Sequence, residues 1–189
     1  SFEKIQYRAG MIRIFYLILL LILIGSCKQD KSTTAPPLLG EKEVTSALID
    51  VNRSIIKRNR DHITNFVKRT GWNLKETEDG IWFGILEAGD GNAVKDKDQI
   101  EYIYKLRLID GSYPNKSDEA RSNTISIGSG GVESGLEKGL KLMSEGDSAR
   151  IIVPPFFAHG NFGNQGDIPP GAILIFDIKL LKIKPDISQ

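Results

Sequence analysis

Side chains that commonly carry chemistry are scarce in this chain of 189 residues. It has one cysteine, Cys27, so no intramolecular disulfide can form. Its two histidines, His62 and His159, lie far apart, and neither stands among cysteines or acids at metal-ligand spacing. Neither a metal nor a cofactor is expected. The segment Gly128-Ser-Gly130-Gly131-Val132-Glu133 approaches a dinucleotide fingerprint but lacks the third glycine, and there is no Walker lysine. Twenty-five basic residues face 24 acidic ones, for a net charge of +1. No basic stripe with interleaved aromatics is present, so no nucleic-acid partner is expected. Nucleophilic, metal-assisted and phosphate chemistry thus find no obvious residues, and any activity must rest on apolar and aromatic side chains.

Cys27 has a telling context. Arg13 precedes an apolar run from Ile14 to Ile24, which is short of the roughly 20 residues that span a bilayer. Ile24-Gly25-Ser26-Cys27 follows at once and resembles a lipobox, in which the cysteine thiol takes a diacylglyceryl group and the signal is cut before it. The alternative is an ordinary signal peptide followed by an unrelated cysteine. Each buried acyl CH₂ contributes about 0.8 kcal/mol, so a lipidated Cys27 would hold the protein firmly on a membrane. The expectation is a bacterial cell-envelope protein, anchored in the outer membrane and facing the periplasm. Met11 reads as the start, with residues 1–10 as upstream sequence. Residues 1–26 are then upstream sequence and signal, and residues 27–40, polar with Pro36 and Pro37, form a flexible tether.

The elements beyond the tether change character at residue 72. From Glu41 to Arg69, Val44, Leu48, Val51, Ile55, Ile63, Phe66 and Val67 recur near helical spacing, and Thr70-Gly71 closes the run. This predicts an N-terminal helical segment over 41–71. It either packs on the following domain, the favoured reading, or mediates a homodimer; the stripe is interrupted from Arg58 to Asp61. From 72 to 189 the pattern turns to strands: Gly80 to Glu87, Gln99 to Ile109, Asn123 to Ile127, Ala149 to Val153, and Ile173 to Ile183. On the second, Ile100, Tyr102, Tyr104, Leu106 and Leu108 share a face. Val132, Leu136, Leu140 and Met143 mark one short amphipathic helix. One helix among antiparallel strands predicts an α+β fold, a curled sheet around a single short helix.

Three stretches carry a resemblance. The first runs from Ile100 through Tyr104 to Asp110-Gly111. The second is Gly128-Ser-Gly-Gly-Val132-Glu-Ser-Gly135-Leu136-Glu-Lys-Gly139-Leu140-Lys-Leu-Met143-Ser-Glu-Gly146. The third is Pro155-Phe-Phe-Ala158-His159-Gly160, followed by Ile168-Pro169-Pro170 and Leu174-Ile-Phe176-Asp-Ile-Lys-Leu180. In order and spacing, residues 80–184 resemble the FKBP-type peptidyl-prolyl cis/trans isomerases. The lipobox and preceding helix make the whole chain similar to the gliding-motility-associated FKBP-type lipoproteins of Bacteroidetes.

The resemblance implies a way of working. An X-Pro bond rotates over a barrier of about 18–20 kcal/mol because amide resonance keeps it planar. Lowering that barrier requires only that the twisted amide be bound better than the planar one. The planar amide is the more polar species, so an apolar, water-poor pocket penalises it. The resemblance assigns Tyr104 and Phe176 to the catalytic pocket, with His159 as a hydrogen-bond donor. It assigns Tyr113, Val132, Leu136 and Ile168 to substrate binding, together with Glu133, whose backbone N–H would donate to the substrate carbonyl. Taken without the resemblance, Val132, Leu136 and Phe176 equally suit a plain core.

The chain also departs from the family pattern. After the Asp110-Gly111 turn the family carries Phe-Asp; here Ser112-Tyr113-Pro114-Asn115 lacks the acid. Asn123 replaces a flap aromatic, His159 replaces the tyrosine of Ala-Tyr-Gly, and Leu106 replaces a glycine. The expectation is an isomerase of low activity acting on proline-containing exported polypeptides. The competing expectation is a catalytically weak or inactive chaperone or assembly subunit of a cell-envelope or gliding machinery.

Overall fold

A computed structural model describes residues 41–114 and 121–186. The expected signal and tether, Cys27 and Asn115 lie outside the described residues. The chain divides into two compact units, 1–46 and 47–189. Of the first, only the opening of a helix is described. The second contains the sheet and all the expected pocket residues.

The order of elements is helix α1 (Glu41–Thr70), strands β1 (Lys75–Glu76), β2 (Trp82–Glu87), β3 (Gln99–Leu108) and β4 (Arg121–Ser126), helix α2 (Ser134–Leu140), then β5 (Ser148–Val153) and β6 (Leu174–Lys184). A single 3₁₀ turn at Pro155–Phe157 follows β5. The strands form one antiparallel sheet in the order β1-β2-β5-β6-β3-β4. The expected α+β fold, one sheet with a short helix and a preceding N-terminal helix, is therefore present. Among the described residues no helix is long and apolar enough to cross a membrane.

Strict alternation along the strands makes two cores, one on each face of the sheet. On the inner face, Phe83 of β2, Ala149, Ile151 and Val153 of β5, and Leu174, Phe176, Ile178 and Leu180 of β6 join Ile100 and Tyr102 of β3. Helix α2 covers this face with Leu136 and Leu140, 2% and 0% exposed. On the outer face, Trp82, Ile152, Ile173 and Ile175 meet Ile63, Phe66 and Val67 of α1. The side chains between them, one residue along in each strand, belong to the other core.

The break seen in the helical stripe has a structural meaning. Helix α1 is continuous, but only its second half packs. Ile63 is fully buried, whereas Leu48, Ile49, Val51 and Ile56 are exposed. Helix α2 is shorter than the apolar spacing predicts. Glu133 is still extended at φ −56° and ψ 135°, so the helix starts after it. At the far end, Leu142 and Met143 donate three residues back, to Gly139 and Leu140, which tightens the chain into a turn.

Close approach of α2 to the sheet depends on two glycines one helical turn apart. A Cβ at Gly135 would overlap the side chain of Val153, and one at Gly139 would overlap that of Ile151. With no Cβ at either position, the helix lies directly on β5, and Leu136 joins the same core cluster as Phe176.

Candidate active site

The site is built from four parts of the inner face. Strand β3 supplies Tyr102 and Tyr104, and β6 supplies Phe176, whose partner across the ladder is Leu106. The turn before α2 and the helix itself supply Val132, Glu133 and Leu136. The long connection from β5 to β6 supplies Phe157, Ala158, His159 and Ile168.

Three aromatic rings form a row on the inner face. The centroids of Tyr102 and Tyr104 are 5.7 Å apart, and those of Tyr104 and Phe176 are 6.0 Å apart, both pairs tilted. Phe176 is 1% exposed and Leu136 2%. Val132 and Tyr104 are half-buried and packed against the same cluster.

Ile168 is held in the inner core by a folded loop. The Asn164 carboxamide oxygen accepts from the N–H groups of Gly166 and Ile168, at 2.9 and 3.0 Å. The Asn164 N–H donates to the carbonyl of Ile168 at 3.1 Å. These bonds close a tight turn and leave Ile168 6% exposed in the inner core.

The rim of the site is polar. Nε2 of His159 stands 3.1 Å from Oε1 of Glu133. The contact lies within ion-pair distance but off the hydrogen-bonding direction, and Nε2 is buried without a hydrogen-bond partner among the described residues. Both side chains are largely covered, 28% and 20% exposed. Deeper in, the Asn123 amide donates to the Tyr102 hydroxyl at 3.0 Å. Burial pushes the Tyr102 phenol up to about 12; the Asn123 hydrogen bond pulls it down, and nearby Tyr104 and Glu133 add to the rise. Tyr102 therefore stays neutral throughout the physiological range.

Of the residues expected from sequence, the structure brings together Tyr104, Phe176, Val132, Leu136 and Ile168, and it pairs Glu133 with His159. Tyr113 is placed differently: it is 44% exposed, while its neighbour Pro114 is buried. Sequence reasoning missed Tyr102 as a member of the site. The signal was its place two residues before Tyr104, on the same face of β3. It also missed the Asn123 hydrogen bond, which substitutes a polar contact for the absent aromatic.

Comparison with known proteins agrees with this geometry. Residues 91–181 match the family model described as FKBP-type peptidyl-prolyl cis-trans isomerase. The FKBP-type peptidyl-prolyl cis-trans isomerase FkpA of Escherichia coli (strain K12) is 35% identical over 128 residues, covering 68% of this chain and 46% of that protein. A probable FKBP-type isomerase of Haemophilus influenzae is 30% identical over 115 residues, 61% of this chain and 47% of that protein. The chain thus spans about half the length of these two relatives. Among solved structures, FkpA from Escherichia coli aligns with a TM-score of 0.54 at 28% identity, over 78% of this chain and 75% of that one. A peptidyl-prolyl cis-trans isomerase from Pseudomonas syringae pv. tomato aligns with a TM-score of 0.58 at 27% identity, over 70% of this chain and 96% of that one. By the family match over residues 91–181 and the relatives that align with it, this domain belongs to the FKBP-type peptidyl-prolyl cis-trans isomerase family.

Proposed function

We propose that the protein is a peptidyl-prolyl cis-trans isomerase that acts on X-Pro bonds of exported polypeptides. The observation that carries this reading is the row of Tyr102, Tyr104 and Phe176 beneath Leu136 and Ile168. Such a surface offers a prolyl amide apolar contact in place of hydration, which costs the planar, polar form most. Binding the twisted amide better than the planar one accelerates rotation without a nucleophile, a metal or proton transfer. His159, at the rim beside Glu133, would orient a substrate carbonyl.

The lipobox-like Ile24-Gly25-Ser26-Cys27 supports a lipid anchor at Cys27, in the outer membrane and facing the periplasm. The clients are then unfolded or refolding chains that have crossed the inner membrane. The exposed Leu48 and Val51 on α1, 58% and 54% exposed, support a homodimer through this helix.

A second reading is a binding module of low activity that serves a cell-envelope or gliding assembly. The exposed Phe156 and Phe162 on the β5–β6 connection, 69% and 86% exposed, favour it, since aromatics on an open loop suit capture of unfolded chain. The two readings part on substrate size. An isomerase accelerates exchange in a short Xaa-Pro peptide; a pure chaperone leaves the peptide alone and suppresses aggregation of an unfolded protein. Activity confined to the unfolded protein would contradict the first reading.

A further inference from the structure

The Glu133 carboxylate does not do what its position suggests. It directly precedes α2, where an acidic side chain often caps the helix, yet it makes no capping hydrogen bond. It turns instead to His159, 3.1 Å away at the rim of the prolyl pocket. Its charge adds, as the smallest of several causes, to the raised pKa of the Tyr102 phenol.

The ion-pair contact of this carboxylate among the described residues is with His159. Among the described residues, no lysine or arginine pairs with Glu133. Several other acids do have such a partner: Asp177 is held by Arg150 and Arg107, Asp79 by Lys138, and Asp96 by Lys141. Glu133 is 20% exposed, next in sequence to Val132 and three residues before Leu136, with His159 but no lysine or arginine against it. A charge in such a partly desolvated place interacts more strongly with an incoming ion than a surface charge does.

We propose that Glu133 makes the site selective for charge, so that it prefers X-Pro segments with a lysine or arginine flanking the proline and disfavours those with an acid. The cationic side chain would meet the carboxylate at the rim, beside His159, while the prolyl ring occupies the apolar row. The proposal rests on the isomerase reading for its substrate and adds the sequence context in which that substrate is chosen.

The test uses the purified full chain and a matched peptide panel: Leu-Pro, Lys-Pro and Glu-Pro, and Leu-Pro followed by Lys or Glu. Both the rate of cis-trans exchange and the dissociation constant are measured for each peptide. For a partly buried charge, at least one lysine peptide should exceed its glutamate counterpart about fivefold or more in affinity at low salt. The ratio should shrink as ionic strength rises. Glu133→Gln should bring the ratio towards unity, and Glu133→Lys should invert it. Ratios within one variant cancel any general loss of folding or activity. Equal ratios in the natural protein and Glu133→Gln would overturn the proposal. Absence of catalysed exchange with every peptide would contradict the isomerase reading alone, because the dissociation constants still report the charge preference.

Discussion

The guanidinium of Arg150 stacks on the ring of Trp72, with Cζ 3.8 Å from the ring centroid. Arg107 approaches the same ring at 4.7 Å, and both arginines reach Asp177, Arg150 through a two-pronged contact. Trp72 in turn meets Phe66 edge-on at 5.2 Å. One residue just beyond α1 thus ties the helix to β3, β5 and β6 on the outer face. The inner-face site lies on the other side of the same three strands.

Trp72→Ala should therefore destabilise the domain by about 2 kcal/mol, less than a fully buried tryptophan because the ring is only half-covered. Urea denaturation checks this value. The peptide-exchange rate of the folded variant should change little, because Trp72 touches the outer face only.

Gly139→Ala should be costlier to function. The added methyl meets the side chain of Ile151 and forces α2 away from β5. Overpacking of this kind costs about 1–3 kcal/mol. Because Leu136 rides on the same helix, the pocket wall lifts with it. Thermal unfolding should show a lowered Tm, and kcat/KM should fall in the fraction that remains folded. An unchanged Tm would show that the helix is not seated by its glycines.

Tyr102 makes a prediction in pH. Its folded pKa of about 12 lies above its ordinary value of 10.0. A raised pKa means that the unfolded chain loses this proton first. The stability tied to the neutral phenol is fully present below pH 10 and is lost as pH rises to about 12, by roughly 2–3 kcal/mol. Tyr102→Phe should flatten this alkaline limb of the stability curve. It should also cost about 1 kcal/mol at neutral pH, through the lost Asn123 hydrogen bond. Denaturant titrations from pH 8 to 12 decide it.

Much of this could be read from sequence because apolar periodicity reports which face a residue takes. Alternation through Ile100, Tyr102 and Leu108 placed β3, and the spacing of Leu136 and Leu140 placed α2. What stayed hidden has physical causes. Strand β1 is two exposed charged residues, Lys75 and Glu76, with no apolar pattern to announce it. The Glu133–His159 contact joins residues from separate elements, and no local spacing encodes it. Tyr113 is suited by type to replace a pocket aromatic; it is 44% exposed, beside the buried Pro114, a difference in exposure that residue type alone does not encode. The stripe of α1 showed its break at Arg58 to Asp61, but not that the break separates a packed half from an exposed one.

The lipid anchor makes a separate prediction. Cys27→Ser should release the protein from the membrane fraction and abolish labelling by a radioactive fatty acid, while leaving the rate of peptide exchange by the purified protein unchanged. Continued membrane association of the unlabelled variant would contradict anchoring at this cysteine.

The most direct measurement of the central claim is the cis-trans exchange rate of a short Leu-Pro peptide with the natural protein and with Phe176→Leu and Phe176→Ala. Phe176 is 1% exposed at the centre of the inner face, so Phe176→Ala should cost about 3–5 kcal/mol of stability and Phe176→Leu considerably less. Phe176→Leu therefore keeps a folded protein while removing the ring that lies 6.0 Å from Tyr104. Acceleration by the natural protein that falls at least tenfold in folded Phe176→Leu is the predicted result. Equal acceleration by both, or none by a demonstrably folded natural protein, would contradict the assignment of isomerase activity to this pocket.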